Sequence, residues 1–148
     1  MNSYPIWWDT TLTIYNKIVD TETDAITWQR SIVHNCFWKY AGNKVTIGKV
    51  ILESNSTICR IPKDDRFLER QEWVTTPKDK LAGHFTLGVG DIIVRDEVDD
   101  EISEYSKGKH STDLIAKYED LQGCTVIHKV ADNSGIGRCD PHYYVVGD

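Results

Sequence analysis

The four cysteines and five histidines are the side chains with the widest chemical reach in this 148-residue sequence. Thiolate and imidazole can hold zinc together, or pair as a nucleophile and its base. The spacing supports neither. Cys36, Cys59, Cys124 and Cys139 contain no C-x-x-C pair, whereas tetrahedral zinc sites draw their ligands in close pairs. Free thiols in a reducing compartment are the simplest reading. His34, His84, His110, His128 and His142 are equally scattered. One grouping can converge, Cys139 and His142 with Cys124 or His128, if the last two strands are neighbours. A Cys–His nucleophile also needs a third, orienting group, and no local signature supplies one.

The run Asp96, Glu97, Asp99, Asp100, Glu101 and Glu104 offers hard oxygens, but without the D-x-D-x-D-G spacing of a calcium loop. It reads as a hydrated acidic loop suited to a basic patch on a partner. Gly88-Val89-Gly90 and Gly135-Ile136-Gly137 have the G-x-G form. Neither opens a helix within a βαβ unit, so turn chemistry explains both. There is no G-x-S-x-G, H-E-x-x-H or P-loop. The expectation is a non-enzyme with no catalytic residue, no metal and no cofactor.

The elements that would position these groups are mostly strands. Residues 10–19 alternate, with Leu12, Ile14 and Ile18 on one face and Thr11, Thr13, Tyr15 and Lys17 on the other, the pattern of a half-buried strand. After a polar turn at Asp20–Asp24, a second strand from Ala25 carries Ile26 and Trp28 and should pair back as a hairpin. The aromatic and β-branched stretch 31–40 continues extended, with a bulge near Asn35. Ala41-Gly42-Asn43 predicts a turn and Lys44–Glu53 a strand interrupted at Gly48. Ser54–Ser56 predicts another turn, and Thr57–Ile61 a short strand that Pro62 ends.

Residues 63–84 form a long excursion with a helical turn near Lys63–Leu68, and such segments commonly carry interactions. Ile92, Ile93 and Val94 follow a Gly-punctuated turn and read as a strand covered on both faces. Ser111/Thr112 should cap a single helix near 111–122, with Asp113 favouring its N-terminus, Gly123 just past its end, and Leu114, Ile115, Tyr118 and Leu121 on one face. Residues 124–130 and 142–146 close the set as strands. The fold class is mainly β (α+β): a small β-barrel or sandwich of about eight short strands with one packed helix. Residues 1–148 form a single domain with an extended arm at 1–9.

Composition narrows the partners. The net charge of -6 repels phosphate backbones, which argues against sequence-specific or general nucleic-acid binding. No apolar run approaches the roughly 18–20 residues that span a bilayer, and residues 1–11 lack the basic and apolar regions of a signal peptide. The expectation is a soluble protein kept inside a cell, or inside an assembly built there, with no membrane partner. Five tryptophans are many for this length, and some should sit at a core edge or an interface.

Taken in order, Leu12-Thr-Ile-Tyr-Asn-Lys, Ile26-Thr-Trp-Gln-Arg, Asn35-Cys-Phe-Trp, Ile58-Cys-Arg-Ile-Pro, Leu87-Gly-Val-Gly-Asp-Ile-Ile-Val, Ser111-Thr-Asp-Leu and His142-Tyr-Tyr-Val-Val-Gly resemble a family of small uncharacterised proteins encoded by phages and prophages of Gram-positive bacteria, found among head-tail morphogenesis genes. The likeness runs from about Leu12 to Gly147. One departure is Asp96, where the family's pattern has a small turn residue such as Gly. The resemblance implies a virion structural or assembly protein of the neck: a head-tail connector, head-closure or tail-completion component. It would be assembled in the host cytoplasm as a homo-oligomeric ring among other phage structural proteins. The candidate interface is Trp7, Trp8 and Trp73 with Asp96, Glu97, Asp99, Asp100 and Glu101. An alternative is a small acidic phage accessory protein that binds and inhibits a host factor.

Overall fold

The structure, a computed structural model, describes residues 8–119, 123–133 and 141–147; for 41–47, 50–55 and 119 it describes the backbone alone. The strands are β1 (Thr10–Val19), β2 (Ile26–Ile47), β3 (Val50–Pro62), β4 (Ile92–Arg95), β5 (Cys124–Asn133) and β6 (His142–Gly147). The helices are α1 (Arg70–Thr75) and α2 (Ser111–Glu119). Every neighbouring pair is antiparallel, and the order β1-β2-β3-β6-β5-β4 closes into a barrel. The expected class, a small β-barrel with a packed helix, is the fold.

Strand alternation sorts the side chains into two layers. Leu12, Ile14, Val33, Cys36, Cys59, Ile61, Ile93, Ile127 and Val145 fill the barrel interior. Tyr15, Ile92 and Val94 point outward, where Leu114, Ile115 and Tyr118 of α2 and Val98 and Ile102 cover them. The strand Ile92–Val94 is therefore covered on both sides, as its apolar run predicts.

Among the described residues there are six strands rather than about eight, because two pairs of expected strands fuse. Ala41-Gly42-Asn43 has turn composition, yet these residues pair with Ser56, Asn55 and Ser54 in an unbroken ladder. The reversal falls at Gly48-Lys49, between the paired Ile47 and Val50, with Gly48 at φ 62°. Glycine at the first central position suits a two-residue hairpin turn. Nearer the barrel, β2 bulges opposite Thr10–Leu12, where Asn35 has φ 60°.

β2 pairs with β1 only as far as Cys36, and β3 pairs with β6 only from Thr57 onward. Beyond those points, among the described residues, the two strands pair only with each other, out to Ile47 and Val50. The hairpin thus leaves the closed barrel as a two-stranded ribbon whose outer backbone edges pair with none of the described residues.

The excursion after β3 turns inward. Phe85 and Leu87 enter the interior cluster, and Trp73 and Leu81 are also buried. Phe67 bridges to Phe85 and stacks on Tyr143 at 4.1 Å between ring centroids. Gln29 Nε2 donates to the Leu81 and Thr86-proximal His84 carbonyls at 2.7 and 2.6 Å, tying the segment to β2. The helix in this region is α1, not a turn at 63–68. There Asp64 Oδ1 accepts the Arg66 N–H at 2.8 Å and makes a tight turn instead. At α2 the expected carboxylate is in place, since Asp113 Oδ2 accepts the His110 N–H at 3.0 Å. The cap position is therefore His110 and not Ser111 or Thr112, which are already inside the helix. The Gly123 N–H returns to the Tyr118 carbonyl at 3.1 Å.

Candidate interaction site

Past Arg95 the chain must turn away from the β1 edge. Asp96 makes the turn at φ 88°, a conformation glycine adopts at lower cost. The Asp96 N–H donates to the Thr11 carbonyl, and Thr13 Oγ1 donates to the Asp96 carbonyl, both at 2.7 Å. The Val98 N–H donates to Thr13 Oγ1 at 3.0 Å, and Arg30 Nη1 donates to the Val98 carbonyl at 2.8 Å. Tyr15 Oη donates to the Asp100 carbonyl at 2.6 Å. Burial, reinforced by the Asp100 charge, pushes the Tyr15 phenol well up and keeps it a donor. Further on, the Ile26 N–H donates to Tyr105 Oη at 3.0 Å.

Residues 96–105 therefore form a strap, tied by its backbone across the outside of β1 and β2. The Asp100 carboxylate is also engaged, accepting from Lys117 Nζ at 2.6 Å and Tyr118 Oη at 2.7 Å. The Lys117 bond holds it below the usual carboxylate range. Asp96, Glu97, Asp99 and Glu101 remain exposed. Because the backbone beneath them is already fixed, these charges are presented with little further ordering on contact.

Beside the strap is a cleft of about 580 Å³. Ile18, Trp28 and Ile102 give it apolar lining, and Arg30 and Lys78 balance Asp79 and Glu101 in charge. Trp28 Nε1 is buried and has no hydrogen-bond partner, an uncommon state for a donor.

A second polar constellation lies under the Gly88–Asp91 turn. The buried Asp91 accepts from Asn16 Nδ2 at 2.9 Å, the Gly88 N–H at 3.0 Å and the Lys17 N–H at 3.1 Å. Asn16 also exchanges two bonds with the Thr86 backbone, at 2.6 and 3.1 Å. Burial raises the Asp91 pKa, while these donors and the Arg70 guanidinium, 3.9 Å away, pull against the shift. The Gly88 amide is thus already taken by a carboxylate, which agrees with turn chemistry and not with a phosphate cradle. The sequence carries one signal for this network. Asn16 shares the face of Leu12 and Ile14, and a polar group on an apolar face needs a partner.

The remaining candidates are dispersed. Trp7 lies outside the described residues. Trp8 is buried edge-on to His142 at 5.1 Å and tilted against Phe37 at 6.4 Å. Trp73 is 3% exposed. Both rings pack within their own chain, so the exposed carboxylates are the part of the candidate interface that faces outward. Arg60 Nη1 approaches His142 Nε2 at 2.9 Å; guanidinium only donates, so Nε2 accepts.

β5 and β6 are neighbours, but His142 pairs with Asn133 while Cys124 pairs with Val94 at the other end of β5. Cys139 lies outside the described residues. Cys36 and Cys59 are free, buried thiols pushed up by desolvation, Cys36 to about 12. Among the described residues no group of three His, Cys, Asp or Glu side chains is placed to hold a metal, and no helix is long and apolar enough to cross a membrane.

No curated protein matches the chain, and no solved structure does. The model of a family of unknown function, DUF6751, matches residues 7–148, and the chain belongs to that family.

Proposed function

We propose that this family member is a bacteriophage virion structural or assembly protein, a neck component that acts by forming an oligomeric ring and not by catalysis. The ribbon of β2 and β3 supports this reading most directly. A two-stranded ribbon is marginally stable alone in water, and its open edges are templates for pairing with another chain. A closed, filled barrel that extends such a ribbon is a rigid body with a reaching arm, which suits assembly. In this reading the chain works in the virion, touching itself and other phage structural proteins. The test is mass spectrometry of purified particles together with deletion of the gene. Stoichiometric chain in the particle and tailless or unjoined heads without it support the reading. Absence from particles that assemble normally overturns it.

The exposed Asp96, Glu97, Asp99 and Glu101 favour a second reading, an acidic inhibitor of a host protein with a basic groove. A stable monomer that pulls down one host protein, in a complex dissolved by salt, would select it.

A further inference from the structure

We infer that the acidic strap of one copy docks on the basic outer face of β6 and its neighbours in the next copy, in a head-to-tail contact. This contact is the joint of the ring proposed above and rests on that reading. The closed order β1-β2-β3-β6-β5-β4 puts β6 three strands from β1 in either direction, so the two stand on opposite sides of the barrel. The strap is tied across the outside of β1 through Thr13 and Tyr15, on the side away from β6. A chain therefore cannot lay its strap on its own β6 face, whereas a second copy can.

The strand register defines that face. Cys59 and Val145 point into the barrel, so alternation turns Ile58 and Arg60 of β3, and Tyr144 and Val146 of β6, outward. Lys39 of β2 stands opposite Ile58, and Lys129 of β5 opposite Val146. Residues directly opposite share a face, so four strands carry Lys39, Arg60 and Lys129 on one surface. Lys39 and Lys129 are exposed, and Arg60 lies over the Tyr144 ring at 4.8 Å. None of the three has an ion-pair partner among the described residues. At the margin Asp9 follows Trp8, and Asp132 is paired with Lys63 at 2.7 Å. The face thus keeps a positive sign in a chain whose net charge is -6.

The strap has the opposite sign. Its exposed Asp96, Glu97, Asp99 and Glu101 outnumber the two guanidiniums beside them, Arg95 and Arg30, and Asp100 is paired with Lys117. Both surfaces have fixed backbones, the strap by its hydrogen bonds and the face by its ladders, so contact orders little further. The rings on the face are already occupied: Tyr144 lies under Arg60, and Phe37 is tilted against Trp8 at 6.4 Å. The face therefore offers charge and not stacking platforms, which favours a carboxylate-bearing partner over a single-stranded nucleic acid. Two unlike surfaces meeting in this way form a heterologous interface, which closes into a ring when its rotation allows.

The experiment uses the whole chain in two charge-reversed forms, read by native mass spectrometry and sedimentation. Lys39→Glu with Lys129→Glu leaves both surfaces acidic; Glu97→Lys with Asp99→Lys leaves both basic. All four side chains are exposed, and circular dichroism checks that each form keeps the fold. Each form alone should self-associate roughly ten-fold more weakly than the unaltered chain at low salt. An equimolar mixture should regain the lost association, in assemblies where the two forms alternate. The unaltered chain gives an independent check, since its association should weaken as salt is raised. Association that is indifferent to salt or to both reversals, or that mixing does not regain, overturns this contact and leaves the ring reading standing. A thymidine oligonucleotide that binds the unaltered chain and is lost with the two lysine reversals assigns the face to nucleic acid and also overturns it. A chain that is monomeric at every concentration overturns both the contact and the ring.

Discussion

Two long connections flank β4, and both are polar and irregular in sequence. Residues 63–91 turn Trp73, Leu81, Phe85 and Leu87 inward and complete the barrel core. Residues 96–105 turn only Val98 and Ile102 inward and leave four carboxylates in solvent. Each segment hangs on an aspartate. Asp91 is sequestered among backbone and amide donors, whereas Asp100 sits at the surface between Lys117 and Tyr118. Burial dominates the first and a charge-assisted hydrogen bond the second, so their acidities move in opposite directions. A connection that supplies apolar volume becomes part of the scaffold; one that supplies charge on a fixed backbone becomes a surface.

This contrast breaks most readily at Phe85. Phe85→Ala should cost about 4 kcal/mol, read from the urea midpoint, because a fully buried ring leaves a cavity that its neighbours only partly fill. A loss below about 1 kcal/mol would mean that the 63–91 segment is not core. Asp91→Ala should cost about 3 kcal/mol, since three donors lose their acceptor in a buried site.

The pH dependence gives a sign to check. The folded pKa of Asp91 is raised above 3.8, so its contribution is fully present below that value and is lost as pH rises through the raised one. The deficit of Asp91→Ala should therefore shrink on going up from about pH 3 to pH 6 in urea titrations. Asp100 has a lowered folded pKa, so its contribution is present above 3.8 and is lost as pH falls through the lower value. Asp100→Asn should cost less than about 1 kcal/mol at neutral pH, because its pair is exposed, and should flatten the acid limb of the stability curve. The smallest effect has the opposite sign. Asp96→Gly should gain about 0.5 kcal/mol by relieving φ 88°; a loss would show that the Asp96 carboxylate itself steadies the turn.

Periodicity made the local structure legible. The alternation around Leu12 and Ile14 gave β1, the apolar run at Ile92 a doubly covered strand, and Asp113 with Gly123 the helix. Ala41-Gly42-Asn43 misled because turn propensity is weak against a continuous ladder, and the pairing is decided by residues a dozen positions away. The inward turn of 63–91 was hidden for another reason. In α1 only Trp73 is buried, so that segment has no repeat to read. The strap was visible as charge but not as structure, since the groups that tie it down, Thr13, Tyr15 and Arg30, come some 70 to 85 residues earlier.

The barrel closes where β3 meets β6, from Thr57 against Gly147 to Pro62 against His142. The seam is tight, since a methyl group at Gly147 would run into the Thr125 side chain and the Val126 carbonyl. About 90 residues separate the partners at its tightest point. During synthesis at about 5–20 residues per second, β3 therefore waits roughly 5–18 s for its neighbour. Throughout that interval a nascent chain offers an unpaired edge along the whole of β3, ribbon included, to other nascent chains on the same message. Closure of the barrel therefore waits for β6, the last strand of the order to be made.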